Sequence, residues 1–304
     1  MNTTEQQLLK IIADMDGVPE GAYNIRSNGA LESRRSTENV EIKNKENGSG
    51  IVVTVRPDTK GETVHIPVII DASGLYDLVY NDFIIGDNAD VTIMAGCGIH
   101  NCGSEGSGHD GVHSFFIGKN ARVKYIEKHY GSGDSGKRVM NPTTVVNIGE
   151  NGYMEMETSQ IKGIDDTNRV TSAKIGKGGT LVIKEKIMTE GSQTAKTDFT
   201  VDLDGENSGA HVVSRSVASD NSFQEFRSRI NGNNLCSGHT ECDAIIMDNA
   251  RVCAIPEVNA NHVDASLIHE AAIGKIAGEQ LVKLMTLGLD EKQAEEEIIN
   301  GFLK

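Results

Sequence analysis

Two short stretches concentrate the side chains able to bind metal or carry sulfur. The first, CGIHNCGSEGSGHDGVH, holds Cys97, His100, Cys102, His109 and His113. Thiolates and imidazoles close together suit Zn²⁺ or iron. Their spacing matches no zinc-finger pattern, and the alternative is a Gly-rich loop in which ligand types coincide. The second, LCSGHTECDAIIMDNARVCAIP, places His239 between Cys236 and Cys242 and adds Cys253 one strand later, with His269-Glu270 downstream. Thiolate, imidazole and carboxylate are ligand types for iron and for iron–sulfur clusters. Cys253 lies in a strand pattern and reads as buried packing. Cys242, between Glu241 and Asp243, is less natural in a core, and those carboxylates raise its thiol pKa unless a cation offsets them. A third stretch, GSGDSGKR at 131–138, has the Gly-x4-Gly-Lys frame of a phosphate loop. Arg138 stands where the Mg²⁺-binding hydroxyl belongs and no helix pattern follows, so it reads as a surface turn.

The elements that must position these residues show first in the composition. Among 304 residues, Asp and Glu outnumber Lys and Arg by 44 to 29, a net charge of -15. That argues against a nucleic-acid binder, which neutralises phosphates with basic side chains. No apolar run approaches the roughly 18 residues of a membrane span. The N-terminus lacks the basic start and cleavage site of a signal peptide, so a cytoplasmic location with reduced thiols is expected. Glycine is high at 33, proline low at 5, and aromatics make up 4%. Stacking surfaces for sugars or bases need more rings, and helical bundles tolerate less glycine.

The glycines belong to a repeat. IGDNADVTI from Ile85, IGKNARVKY from Ile117, IGENGYMEM from Ile148 and IGKGGTLVI from Ile175 share an apolar-Gly start, a polar turn and an alternating strand. Looser versions start at Leu203, Ile230 and Ile246. By subtraction the seven starts lie 32, 31, 27, 28, 27 and 16 residues apart. A near-constant period signals stacked units that bury their apolar faces on one another. The expected fold is therefore mainly β, a parallel β-helix or similar β-solenoid, with a β-sandwich as runner-up. A helix capped by Thr4 and Gln7 precedes it, with Leu8, Ile11, Ile12 and Met15 on its apolar face. ENGSG at 46–50 reads as a turn before the first strands. From His269 the pattern turns helical, with Ile273, Ile276, Leu281, Leu284 and Met285 on one stripe, and Asp290 with Gln293 opens a second helix. The expected division is 1–80 for the helix and leading strands, 81–268 for the β-helix core, and 269–304 for a helical pair. That pair either caps the open solenoid edge or docks a partner.

The segments GHTECDAIIM, AIPEVNANHVDASLIHEAAIGKIAGEQL and LGLDEKQAEEEIINGF closely resemble the end of the SufB/SufD family of iron–sulfur cluster assembly proteins. The likeness extends upstream through SRSVASDNSFQEFRSRINGNN, YMEMETSQIKG and AGCGIHNC, covering most of the chain from about residue 80. It implies a right-handed parallel β-helix flanked by helices, and a scaffold, not an enzyme. It implies pairing through the β-helices, and a SufC-like ABC ATPase bound at the C-terminal helices and supplying ATP-driven motion; no nucleotide is expected on this chain. By position, Cys242 corresponds to the SufB cysteine that receives sulfur and holds a transient cluster, Glu270 to the glutamate beside it, and His269 to a histidine carried by SufB and SufD. Cys97 corresponds to a cysteine through which sulfur is taken in. Three departures bear on this reading. The chain is shorter than typical SufB, HEAAIGKI joins the His-Glu of SufB to a glycine typical of SufD, and Cys236 is additional. Together they point to a minimal member acting as a homodimer in place of a SufB–SufD pair, with Cys236 near the cluster. A sulfur donor and recipient apo-proteins complete the expected partners. The alternatives are a SufD-like structural or iron-delivery partner without its own cluster, and a β-helix enzyme acting on polysaccharide. The Cys242–Glu270 pair speaks against the first, and the scarcity of aromatics and of paired carboxylates against the second.

Overall fold

A computed structural model of the chain describes residues 2–46, 48 and 50–304. Two of the residues in the turn expected at 46–50, Asn47 and Ser49, lie outside the described residues. Strand makes up 59% of the structure, wound into a β-solenoid of about eight turns. In the first sheet Lys60–Ile70, Asp90–His100, Arg122–Ser132, Tyr153–Lys162, Thr180–Thr189, Ser208–Ala218, Cys236–Ile246 and Ala265–Gly274 stack in parallel. The intervening strands, from Ile51–Val55 to Arg251–Ala260, build the second sheet. Parallel pairing throughout the stack excludes the sandwich. A connection between parallel strands of one sheet is right-handed in almost all proteins.

Alternation along each strand sends every second side chain inward. One continuous core results, from Val40 and Ile42 through Phe83, Phe115 and Phe199 to Ile230 and Cys242. The repeat read from the sequence is the turn at one side of this solenoid. Ile85, Ile117, Ile148, Ile175 and Leu203 occupy one column, each the register partner of the next. Gly232 occupies that column in the following coil, so the repeat read from Ile230 starts two residues early. Ile246 ends a strand of the other sheet, which is why its interval was short. At the turn, Asn88, Asn120 and Asn151 take the left-handed conformation. Their side chains form a ladder, Asn151 donating to Asn120 at 3.3 Å and Asn120 to Asn88 at 3.1 Å. Asparagine tolerates that backbone and bonds along the stack, a combination glycine cannot provide.

The N-terminal helix, α1 (Thr3–Ala13), is capped by Asn2 with Glu5 in a capping box, two residues earlier than the expected Thr4–Gln7 pair. It lies on the outer face of the first sheet. There Gly96 and Gly98 let its backbone approach closely; a side chain at Gly98 would meet Leu8 at 3.1 Å. The glycines around Cys97 thus belong to helix packing.

The two ends of the solenoid differ. The leading edges are antiparallel strands, Ala30–Arg35 and Val40–Asn44, which carry Glu32, Arg34, Arg35, Glu41 and Lys43. Arg34 ties them together by donating to Asn24 and Asn44, both at 2.7 Å. The trailing edges, Arg251–Ala260 and Ala265–Gly274, have no further strand beside them among the described residues.

The helix expected from His269 begins instead at Gly278. His269, Glu270 and Ile273 lie on the last strand, held in register by Cys236–Ile246. Local periodicity was overridden by the template of the coil beneath. Helix α2 (Gly278–Met285) has no buried residue and packs chiefly on α3 (Glu291–Phe302), whose Asp290–Gln293 capping box is as expected.

Candidate functional site

Parity along the last two coils decides which residues can meet. On Cys236–Ile246, the even positions Cys236, Gly238, Thr240 and Cys242 face inward, and His239, Glu241 and Asp243 face outward. On Ala265–Gly274, His269 is the register partner of Thr240 and Glu270 that of Glu241. Cys242 and His269 are therefore diagonal neighbours on the inner face, while Glu270 stands on the outer one. Cys236 is also inward, but six residues along the strand from Cys242, about 20 Å at 3.3 Å per residue. Within one chain the two thiols cannot share a cluster. Cys253, expected as core packing, points outward on the edge strand and is half-buried.

Cys242 is 1% exposed, contrary to the expectation that its acidic flanks would keep it out of the core. Those flanks point away. Burial, then Glu185 inside the solenoid and Asp243, push its thiol up to about 12, so at neutral pH it is a protonated, unreactive SH.

On the outer face, His239, Glu241 and Glu270 bring their ligand atoms within 4.8 Å of one another. Nε2 of His239 lies 3.3 Å from Oε2 of Glu270, and the His239 ring stacks on His211 at 5.0 Å. Among the described residues, no other group of three His, Cys, Asp or Glu converges so closely.

The 97–113 stretch is divided by the fold. Cys97 is buried inside the first sheet, and His109 and His113 face it from the second. With Glu127 and His129 they line a cavity of about 20 Å³, room for one water. His100 and Cys102 lie outside this cavity. The exposed thiol of Cys102 is 3.2 Å from Nε2 of His100, whose Nδ1 meets the Ser132 hydroxyl at 2.9 Å. The GSGDSGKR stretch is the turn expected, with Gly133 and Gly136 at positive φ.

From the cavity, a row of buried polar groups continues inside the solenoid. Asn81 donates to Nε2 of His113 at 3.3 Å, whose Nδ1 meets the Tyr125 hydroxyl at 2.8 Å; Tyr125 donates to Glu127 at 2.9 Å. Arg169 pairs with Glu127, contacts His129 at 3.2 Å, and lies 3.6 Å from Glu185. Glu185 accepts from Thr197 at 3.0 Å and from Ser214 at 2.7 Å, and Ser214 is the register partner of Cys242. Burial opposes charge on Glu127, but Arg169 and His129 outweigh it and hold the carboxyl well below the usual range. Burial wins at Glu185 and raises its pKa despite Arg169. Burial also pushes His113 down to about 4. Sequence reading missed this row. Its signal was a polar residue at every inward position of the RVKYIEKHY segment after Val123, at Tyr125, Glu127 and His129.

The sequence model of the SufBD core domain, described as SUF system FeS cluster assembly, matches residues 70–302. The chain belongs to the SufBD family. Relatives include an iron–sulfur cluster assembly SufBD family protein of Methanocaldococcus jannaschii, 31% identical over 79% of this chain and 76% of its own length. SufBD family proteins of Archaeoglobus fulgidus and Methanothermobacter thermautotrophicus are each 29% identical over 74% of this chain. The alignments span 60% and 54% of those two relatives. SufBD membership agrees with the solenoid and places the chain in iron–sulfur cluster assembly. No described helix is long and apolar enough to cross a membrane.

Proposed function

We propose that the chain is a scaffold on which iron–sulfur clusters are built between two copies paired at their trailing edges. Cys242 receives sulfur, Cys242 and His269 hold the nascent cluster from the inner face, Glu270 joins them from the outer face only once the last strand opens, and Cys97 takes in sulfur from a donor. The cluster is cargo, passed on to recipient apo-proteins. Cys236 enters this reading only from the second copy, given its distance from Cys242. The open trailing edge carries the reading: His269 lies on the edge strand, which has no further strand beside it among the described residues, and Cys242 on the strand next to it. The buried polar row adds support, because it runs from His129, the register partner of Cys97, to Ser214, the partner of Cys242.

A buried thiol with a pKa of about 12 does no chemistry until it is exposed. The reading therefore requires opening of the last coil, and also access to Cys97, whose buried thiol is likewise pushed up; a SufC-like ATPase docked on α2 and α3 supplies the work. Hydrolysis takes place in that partner. Val282 and Met285 are exposed on α2, which has no buried residue, and Leu287 just after it is 76% exposed, which favours docking over capping. Met285→Glu combined with Val282→Glu should abolish co-purification with the ATPase and leave the melting of the solenoid unchanged. Loss of folding would instead assign the tail a structural role.

The central test is anaerobic reconstitution of the full chain with iron and sulfide. Wild type should develop thiolate-to-iron absorbance, with iron and sulfide bound per dimer, and Cys242→Ser should lose it while remaining folded. An unchanged spectrum in Cys242→Ser would sink the reading.

A further inference from the structure

Glu241 and Glu270 are direct register partners on neighbouring parallel strands, so two carboxylates stand opposite each other on one face. Like charges in that position are unfavourable unless something positive lies between them. Asp243, two residues on and on the same face, adds a third negative charge, with Arg215 as its register partner. His239 is on the same face, two residues before Glu241. Its Nε2 is shielded from solvent and lies 3.3 Å from Glu270 without the geometry of a hydrogen bond. The stacked His211, the register partner of His239, fixes the plane of the ring, with 7° between the two.

We propose that His239, Glu241 and Glu270 form a site for one divalent first-row transition-metal ion on the outer face of the terminal sheet, across that sheet from the Cys242 thiol. Two carboxylates and a neutral imidazole match the charge of such an ion, and nitrogen with oxygen is a donor set for Fe²⁺, Mn²⁺, Co²⁺ or Zn²⁺. Ligand atoms around one ion with bonds of about 2.1 Å stand roughly 3–4 Å apart. The present spread, up to 4.8 Å, closes to that by small side-chain rotations. Assigning the ion as ferrous iron awaiting incorporation rests on the scaffold reading above; the site itself does not.

Anaerobic titration of the full chain with Co²⁺, followed by visible absorption, and with Fe²⁺, followed by calorimetry, tests the proposal. One ion per chain is expected. His239→Ala and Glu241→Gln should each weaken binding about tenfold or more, the scale seen on losing a ligand or its support. Cys242→Ser should bind as wild type, with circular dichroism confirming the fold of all three variants. A smaller loss in both ligand variants, or loss of binding in Cys242→Ser, would overturn the site. If cluster reconstitution fails while the ion still binds, the scaffold reading falls and the metal site stands. The reverse result removes the metal site alone.

Discussion

Replacing Arg169 with Met should destabilise the protein by about 3–5 kcal/mol, the scale for removing one partner of a buried ion pair. Arg169 touches Glu127 and His129 and approaches Glu185, and all four side chains are sealed inside the solenoid. Without the guanidinium, the Glu127 charge has no cation beside it and must either take up a proton or draw in water. The loss should read as a lower denaturation midpoint in urea. Adding Glu127→Gln should recover part of it, since the uncompensated charge is then gone. A change below about 1 kcal/mol in Arg169→Met would show that water already reaches this row.

Acidification should weaken the fold before the ordinary carboxylates titrate. His113 has a reference value of 6.5 and is pushed down to about 4 by burial. Between those values the unfolded chain takes up a proton that the folded chain refuses. Stability therefore falls as pH drops through this window, by about 3 kcal/mol at 1.36 kcal/mol per pH unit. Burial lowers His129 too, which acts in the same direction. Glu127, held low, gives stability that is lost only below its unfolded value of 4.5. Glu185, held high, works oppositely and favours the fold as pH falls toward 4.5. Unfolding measured from pH 7 to pH 4 should show the slope, and His113→Gln should remove most of the His113 share. An unaltered slope in that variant would assign the effect to other groups.

The solenoid was legible because its turn chemistry repeats. Asn88, Asn120 and Asn151 solve the same backbone problem at successive coils, and the inward Ile, Val and Leu positions alternate around them. The last strand was misread for a physical reason. HEAAIG has helical periodicity by itself, but its register on Cys236–Ile246 prevails over local preference. At the candidate site, sequence reading found Cys242, His269 and Glu270 but could not give their faces. Linear proximity placed Cys236 beside Cys242, although every inward position along a strand adds nearly 7 Å. Alternation would have separated inner from outer residues. It would not have shown Arg169 reaching Glu127 and Glu185, because that contact crosses between sheets.

The unequal ends of the solenoid also limit what it can assemble into. A stack of parallel strands has no inherent length, and edges free at both ends would let copies add head to tail into filaments. Here the leading strands are reversed in direction, charged and joined to each other by Arg34, while the trailing edge continues the parallel stack uncovered among the described residues. Under the proposed pairing, two copies meet at their trailing edges through a two-fold axis, and that contact uses up both edges. Growth would then stop at two.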